Sequence, residues 1–431
     1  MRRASVLATM LVVAVAAMPA RAVVTVSIFG PGSHQFPIAI VPPKGDAALG
    51  QEFARVLSRD LELSGYFRVL DPRTFTEDPQ TAGVTADTID FAGWAAVGAQ
   101  QLVKGTIESG AGTLTLEVRL FDVAERRDVA DSGRRLQGSR PDLPRMAHRY
   151  ADQLLAVLTG ERGPFDSKIA LTSTRGGRLK DVYVYTFDMT TPARLTNERS
   201  ITIAPAWRPD LRGVLFASYR EHLPRLFEVD VASRAVVQFS NDSKTYLGGV
   251  WSPDGTQVLA TREDDGNSDI ELLDRWGNVT KRLTDHWAID VSPAWAPDGQ
   301  RFVFCSSRSG SPQIYTMAIG TSEPVRVSRI GTYNTSPAWS PKGDLIAWAT
   351  RTGNTFQIVV AGADGSNPRT ITGAGSNEDP SWAPDGRYLV FSSSRGGNRT
   401  LWLADRDGRT QKQLTPEGGD DTSPAWSSRS E

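Results

Sequence analysis

Four histidines are the natural starting point for any chemistry in this chain, and they stand at His34, His148, His222 and His286. None has a partner at H-x-x-x-H spacing, and no G-x-S-x-G elbow supplies a serine nucleophile. Carboxylates do cluster, as Glu263-Asp264-Asp265, Glu378-Asp379 and Asp420-Asp421, with Asp290 alone. Such groups could serve a glycosidase or a Ca²⁺ site. Their place in polar turns favours ordinary solvated acids. The single cysteine, Cys305, lies inside the apolar run Phe302-Val303-Phe304-Cys305. It excludes an internal disulfide and a cysteine metal cluster, and reads as a buried thiol. No glycine-rich phosphate loop leads into a helix, and no basic stripe with aromatics marks a nucleic-acid face. The expectation is therefore a non-enzyme with no cofactor and no metal ligands.

The elements that would position any site are written as a repeat. Trp207, Trp251, Trp295, Trp339, Trp382 and Trp426 are spaced 44, 44, 44, 43 and 44 residues apart. Most follow Pro-Ala or Pro-Ser and precede a turn such as Ser252-Pro253-Asp254-Gly255, which suits a type I turn. A second strand follows, then a polar turn with Arg175, Arg220, Arg262, Arg308, Arg351 or Arg395. A third strand and a fourth ending in Leu-Thr or a relative complete the unit. Four short strands in about 44 residues describe a propeller blade. The last copy stops after Trp426, and the first strand, Lys168 to Thr172, has no Pro-Ala-Trp before it. Pairing the two ends closes a ring of six blades, the first composite, and removes two open sheet edges. The tryptophans are expected in the core, and the repeated arginines in a scaffold contact with turn carboxylates or carbonyls.

Residues 1–22 read as a signal peptide. Arg2-Arg3 precede an apolar run too short to span a bilayer, and Ala20-Arg21-Ala22 is a cleavage site. Without its three arginines the chain carries 45 basic and 49 acidic side chains, a balance that does not point to nucleic acid. An exported, periplasmic protein that is not membrane-inserted is expected.

Residues 23–160 read as an α/β domain. Val23 to Ile28 alternates as a strand, and Pro37 to Pro42 is a buried one. Helices are expected over Asp46 to Leu63, Asp90 to Ala99 and Leu143 to Leu158, the first and last stopped by Gly65 and Gly160. Strands are expected near 101–108, 113–122 and 127–138. Residues 161–167 form the linker and 168–431 the propeller.

Together these features resemble the TolB family of the periplasmic Tol–Pal envelope system. The resemblance rests on the repeated W-S-P-D-G and [ST]-R turns, the V-x-V-x-I and P-I-x-I-V-P segments of a small exported domain, and the terminal S-P-A-W. It implies a non-enzymatic, monomeric scaffold for outer-membrane integrity and invagination during division. It implies two partners, the lipoprotein Pal on one propeller face and the C-terminal domain of TolA at the mature N-terminus, with other envelope proteins besides. The matching N-terminal residues are Val23, Val24, Thr25, Val26, Ser27, Ile28, Phe29 and Gly30. An extended terminal strand of this kind can add to a partner's sheet edge. The matching propeller residues lead into the Trp strands: Thr202 and Ala204; Thr245, Tyr246, Leu247 and Gly248; Asp290, Val291 and Ser292; Asn334, Thr335 and Ser336; Glu378 and Asp379; Thr422 and Ser423. Thr245 stands where the family can place a histidine.

Two other classes compete. An exported propeller hydrolase or lactonase would need a cluster of histidine and acidic ligands. A carbohydrate- or peptidoglycan-binding propeller would need exposed aromatics at the mouth, where Tyr246, Trp287 and Tyr333 are the candidates.

Overall fold

The computed structural model describes residues 35–190 and 192–430. The expected signal peptide, the strand from Val23, and His34 lie outside the described residues.

The N-terminal part is a seven-stranded mixed sheet carrying helices on both faces. Phe36–Ile40 runs parallel to both Phe67–Val69 and Gln101–Gly110; the remaining long pairings are antiparallel. Helix α1 (Ala47–Ser64) starts where Asp46 Oδ1 accepts the amides of Ala48 and Leu49 at 3.0 and 3.1 Å. It ends at Gly65, whose φ of 74° suits a residue without Cβ. The short α2 (Phe91–Ala96) covers one face of the sheet through Phe91 and Trp94. Helix α3 (Leu143–Thr159) packs with α1 on the other, where the Phe53 and Tyr150 rings lie 6.3 Å apart. The strand expected over 127–138 is two pieces, Arg127–Asp128 and Arg134–Gly138. Asp131 adopts φ 59° and Ser132 bonds back to Val129, a turn no continuous strand accommodates.

Six four-stranded antiparallel sheets follow. Blade 1 joins Thr422–Trp426 to Lys168–Ser173, so the last strand closes the ring on the first. The innermost strands of blades 2 to 6 are Thr202–Trp207, Thr245–Trp251, Asp290–Trp295, Asn334–Trp339 and Asn377–Trp382.

All six repeat tryptophans are buried. Three of them also tie blade to blade. The indole N–H of Trp207 donates to Ala425 O at 3.0 Å, Trp295 to Val250 O at 3.1 Å and Trp382 to Ala338 O at 3.1 Å. In each case the acceptor is the carbonyl just before the preceding blade's tryptophan. The Leu-Thr ends have a second use. Thr196, Thr284, Ser328, Thr372 and Thr415 each accept, through the hydroxyl, the amide of the residue 14 positions earlier, at 2.9–3.0 Å. This satisfies a buried donor where the edge strand has stopped.

The two parts share one core. A single apolar cluster runs from Leu61 and Leu154 to Ile169, Tyr388 and Trp426. Tyr388 donates its hydroxyl to Ser64 O at 2.8 Å, and Arg387 donates to Thr159 Oγ1 at 3.1 Å and Arg162 O at 3.0 Å. A cavity of about 1360 Å³ lies between α3 and the turn face of the propeller, walled by prolines and tryptophan edges. Among the described residues no helix is long and apolar enough to cross a membrane.

Candidate functional site

The propeller end away from α3 is formed by the loops that lead into the innermost strands. Each of those strands carries one extra residue relative to its neighbour, a β-bulge that sits in the same place in five blades and slightly earlier, between Tyr246 and Gly248, in the strand Thr245–Trp251. The residues three positions before each tryptophan are Ala204, Gly248, Ser292, Ser336, Asp379 and Ser423, and all but Gly248 lie within the bulge. Five of them have φ between 50° and 55°. A bulge re-aims the chain locally, and here it gathers these side chains around the channel axis. A Cβ on Gly248 would stand 2.9 Å from that of Ala204, so glycine alone fits there. Asp379 bridges the ring, accepting from Ser336 Oγ at 2.9 Å and Ser423 Oγ at 3.3 Å. Burial outweighs those bonds and holds its carboxyl above the usual range.

Not all of the expected contact residues face outward. Thr202, Tyr246, Asp290, Asn334 and Thr422 are buried. Strand alternation turns them into the blades, where they serve the scaffold. Asp290 pairs with Arg308 at 2.8 Å. Asn334 donates to Gln313 Oε1 at 2.8 Å, and Tyr246 donates its hydroxyl to Asp242 and Glu271 at 3.1 Å. Thr422 Oγ1 accepts from Lys180 at 2.7 Å. The half-buried or exposed members are Ala204, Thr245, Leu247, Val291, Ser292, Thr335, Ser336, Glu378, Asp379 and Ser423. Gly248 is buried by its neighbour. Val23 to Gly30 lie outside the described residues.

The repeated arginines bind turn acids or carbonyls. Arg175 meets Asp421 at 2.6 Å and Arg220 binds Glu198 through Nε at 2.7 Å. Arg262 reaches Glu271 at 3.3 Å. Arg351 and Arg395 reach the carbonyls of Gly353 and Ala374 at 3.2 and 3.0 Å. These contacts account for most of the clustered acids too, with Lys180 on Asp420 and Arg399 on Glu378. Among the described residues no three His, Cys, Asp or Glu side chains come together as a metal site. His148 is not a surface group: its Nδ1 lies 2.7 Å from Asp60 Oδ2 inside the α1–α3 contact. Cys305 is buried and burial pushes its thiol up to about 12.

The candidate aromatics separate cleanly. Tyr246 is 0% exposed, Tyr333 packs edge-on against Phe356 at 5.8 Å, and Trp287 is 76% exposed. Ile201, Leu223 and Ile289 are exposed near the same rim. Sequence reading missed these three aliphatics. Their signal was an apolar residue beside a polar turn, just before a strand at Ile201 and Ile289 and at the first strand position at Leu223.

The model of the TolB amino-terminal domain matches residues 24–129, and that of the TolB β-propeller domain matches residues 155–430. The chain belongs to the TolB family. The Tol-Pal system protein TolB of Anaeromyxobacter dehalogenans is 38% identical over 295 residues, covering 68% of this chain and 67% of that one. That of Syntrophotalea carbinolica is 40% identical over 195 residues, 44% of this chain and 45% of its own. The crystal structure of TolB from Acinetobacter baumannii aligns with a TM-score of 0.79 at 26% identity, over 93% of this chain and 98% of that one. As a TolB-family chain this is a Tol–Pal system protein built as a scaffold, not an enzyme.

Proposed function

We propose that this TolB-family chain is a periplasmic adaptor that holds Pal at the propeller mouth and the C-terminal domain of TolA through its mature N-terminus. Pal anchors the outer membrane, TolA belongs to the inner-membrane machine, and the adaptor supports envelope integrity and invagination during division. The observation that carries the reading is the mouth itself. Six bulges set small and polar side chains around a concave centre, and exposed aliphatic and aromatic residues rim it. A concave, pre-formed surface with apolar anchors and polar surroundings is protein-binding material. On this reading the contact residues are the exposed members of the six lead-in loops and the ring around Asp379.

The N-terminal assignment follows the family resemblance and the alternating Val23-Val24-Thr25-Val26-Ser27-Ile28. By linkage, if Pal occupancy alters release of that segment, TolA binding alters Pal affinity by the same factor. The test is a pull-down of the mature chain with Pal and with the TolA C-terminal domain, repeated after deletion of Val23 to Gly30. Loss of TolA with Pal retained is expected. Retention of TolA after the deletion would remove the N-terminal assignment.

A further inference from the structure

We propose that one corner of the mouth, Trp287 and Ile289 flanked by Asp264, Asp265 and Asp285, selects the partner by taking an apolar side chain ringed by basic residues. The inference rests on the reading of the mouth as the Pal-type docking face and names the part of that face where specificity lies.

Trp287 is 76% and Ile289 47% exposed, and Ala288 between them is buried. Two large apolar side chains therefore project from one short loop into solvent. Scattered single exposed apolar residues are normal in folded proteins. This loop differs because it is held rigidly. His286 O accepts from Asn267 Nδ2 at 2.8 Å, and His286 Nδ1 accepts the Ala288 amide at 3.0 Å. Ile289 exchanges bonds with Ser307, donating its amide to Oγ at 3.0 Å and accepting the Ser307 amide at 3.1 Å. The His286 ring lies 5.1 Å from the indole and supports one side of it. A large aromatic fixed before binding loses little entropy on contact, which is the property of an interface hot spot.

The surroundings add a sign. The hairpin bearing Asp264 and Asp265 is tied to this loop through Asn267, and Asp285 begins the loop. The nearby cations are shared: Arg262 bridges Glu271 at 3.3 Å and Asp264, and Arg282 meets Asp269 at 2.5 Å as well as Asp285 at 3.0 Å. These two arginines are thus divided among four carboxylates and Asp265 adds a fifth, which leaves net negative charge beside the Trp287 loop. Charge of one sign at an interface rim steers a partner of the other sign and raises its association rate. An aromatic anchor inside an acidic rim fits a folded protein surface with an apolar knob beside lysines or arginines.

The test is titration of the full chain with the Pal domain from the same species at two salt concentrations. Trp287→Ala is expected to weaken binding by roughly 10- to 100-fold, the size of an interface anchor. The double variant Asp265→Lys with Asp285→Lys is expected to slow association by about 10-fold at low salt and to reverse its salt dependence. Ser423→Arg, across the channel on blade 1, keeps the two readings apart. If Ser423→Arg blocks Pal while Trp287→Ala leaves affinity within about twofold, the corner is overturned and the mouth stands. If neither variant changes affinity, the mouth reading falls and takes the corner with it. Trp287→Ala that abolishes binding of a soluble muropeptide and spares Pal would also overturn the inference, since the indole would then be a sugar-stacking platform. Trp287 is mostly solvent-exposed, and an unchanged unfolding midpoint confirms that the variant is folded.

Discussion

The indole N–H of Trp426 donates to Ser167 Oγ at 2.8 Å. Ser167 lies just before the first propeller strand, so this one bond joins the closing strand, the opening strand and the segment arriving from α3. Ser427 adds a second link, its Oγ accepting the Lys168 amide at 2.9 Å. The propeller is thus latched where the two domains meet.

Trp426→Ala should therefore act on the whole ring. It removes a buried aromatic stacked on Phe187 at 5.7 Å and leaves a cavity in the shared core. The expected loss is about 3–5 kcal/mol in urea unfolding. A change below about 1 kcal/mol would mean that closure does not depend on this side chain.

The repeated arginines should not behave alike. Asp421 is fully buried and meets Arg175 at 2.6 Å, whereas Arg351 reaches only the carbonyl of Gly353, in its own exposed turn. Arg175→Ala strands a buried carboxylate and is expected to cost about 3–5 kcal/mol. Arg351→Ala is expected to stay within about 0.5 kcal/mol. Thermal or urea midpoints of the two variants decide this, and equal losses would contradict it.

Stability should fall with pH through the His148–Asp60 contact. Burial works against the imidazolium, but the Asp60 carboxylate 2.7 Å away, with Asp188 and Asp166 beyond, outweighs it and pushes His148 up to about 9. Burial likewise raises Asp60, to about 6, against the attraction of His148. The folded state therefore holds the His148 proton more tightly than the unfolded chain does. Its stabilisation is complete below the ordinary histidine range near 6.5 and is lost as pH rises towards about 9. His148→Gln is expected to flatten the decline in unfolding free energy across that window. An unchanged slope in the variant would assign the decline to other groups.

Asp379 offers a test of the same sign on a carboxylate. Its raised pKa means that ionisation at neutral pH is paid for by the folded state. A raised folded pKa gives stability that is present below the unfolded value and lost as pH rises. Asp379→Asn keeps the shape and an acceptor for Ser336, so its unfolding midpoint at pH 7 should rise above wild type, with the difference vanishing in acid. A lower midpoint at pH 7 would show that the charged carboxylate is needed to hold the ring.

The period of 44 residues, the proline-glycine turns and the unmatched ends determined six blades and their closure, because a blade is a local unit whose strands, turns and buried tryptophan are written contiguously. The caps at Asp46, Gly65 and Gly160 were legible for the same reason. Which residues face the mouth was not. Strand alternation buries Thr202, Asp290 and Asn334, while a bulge two positions later sends Ala204, Ser292 and Ser336 to the channel axis. The alternation could be read from sequence, but the bulge depends on pairing with the next strand. The bond from Tyr388 to Ser64, the His148–Asp60 contact and the fixed exposure of Trp287 were equally out of reach. Each joins residues far apart in sequence, and only packing of whole blades and domains against one another brings them together.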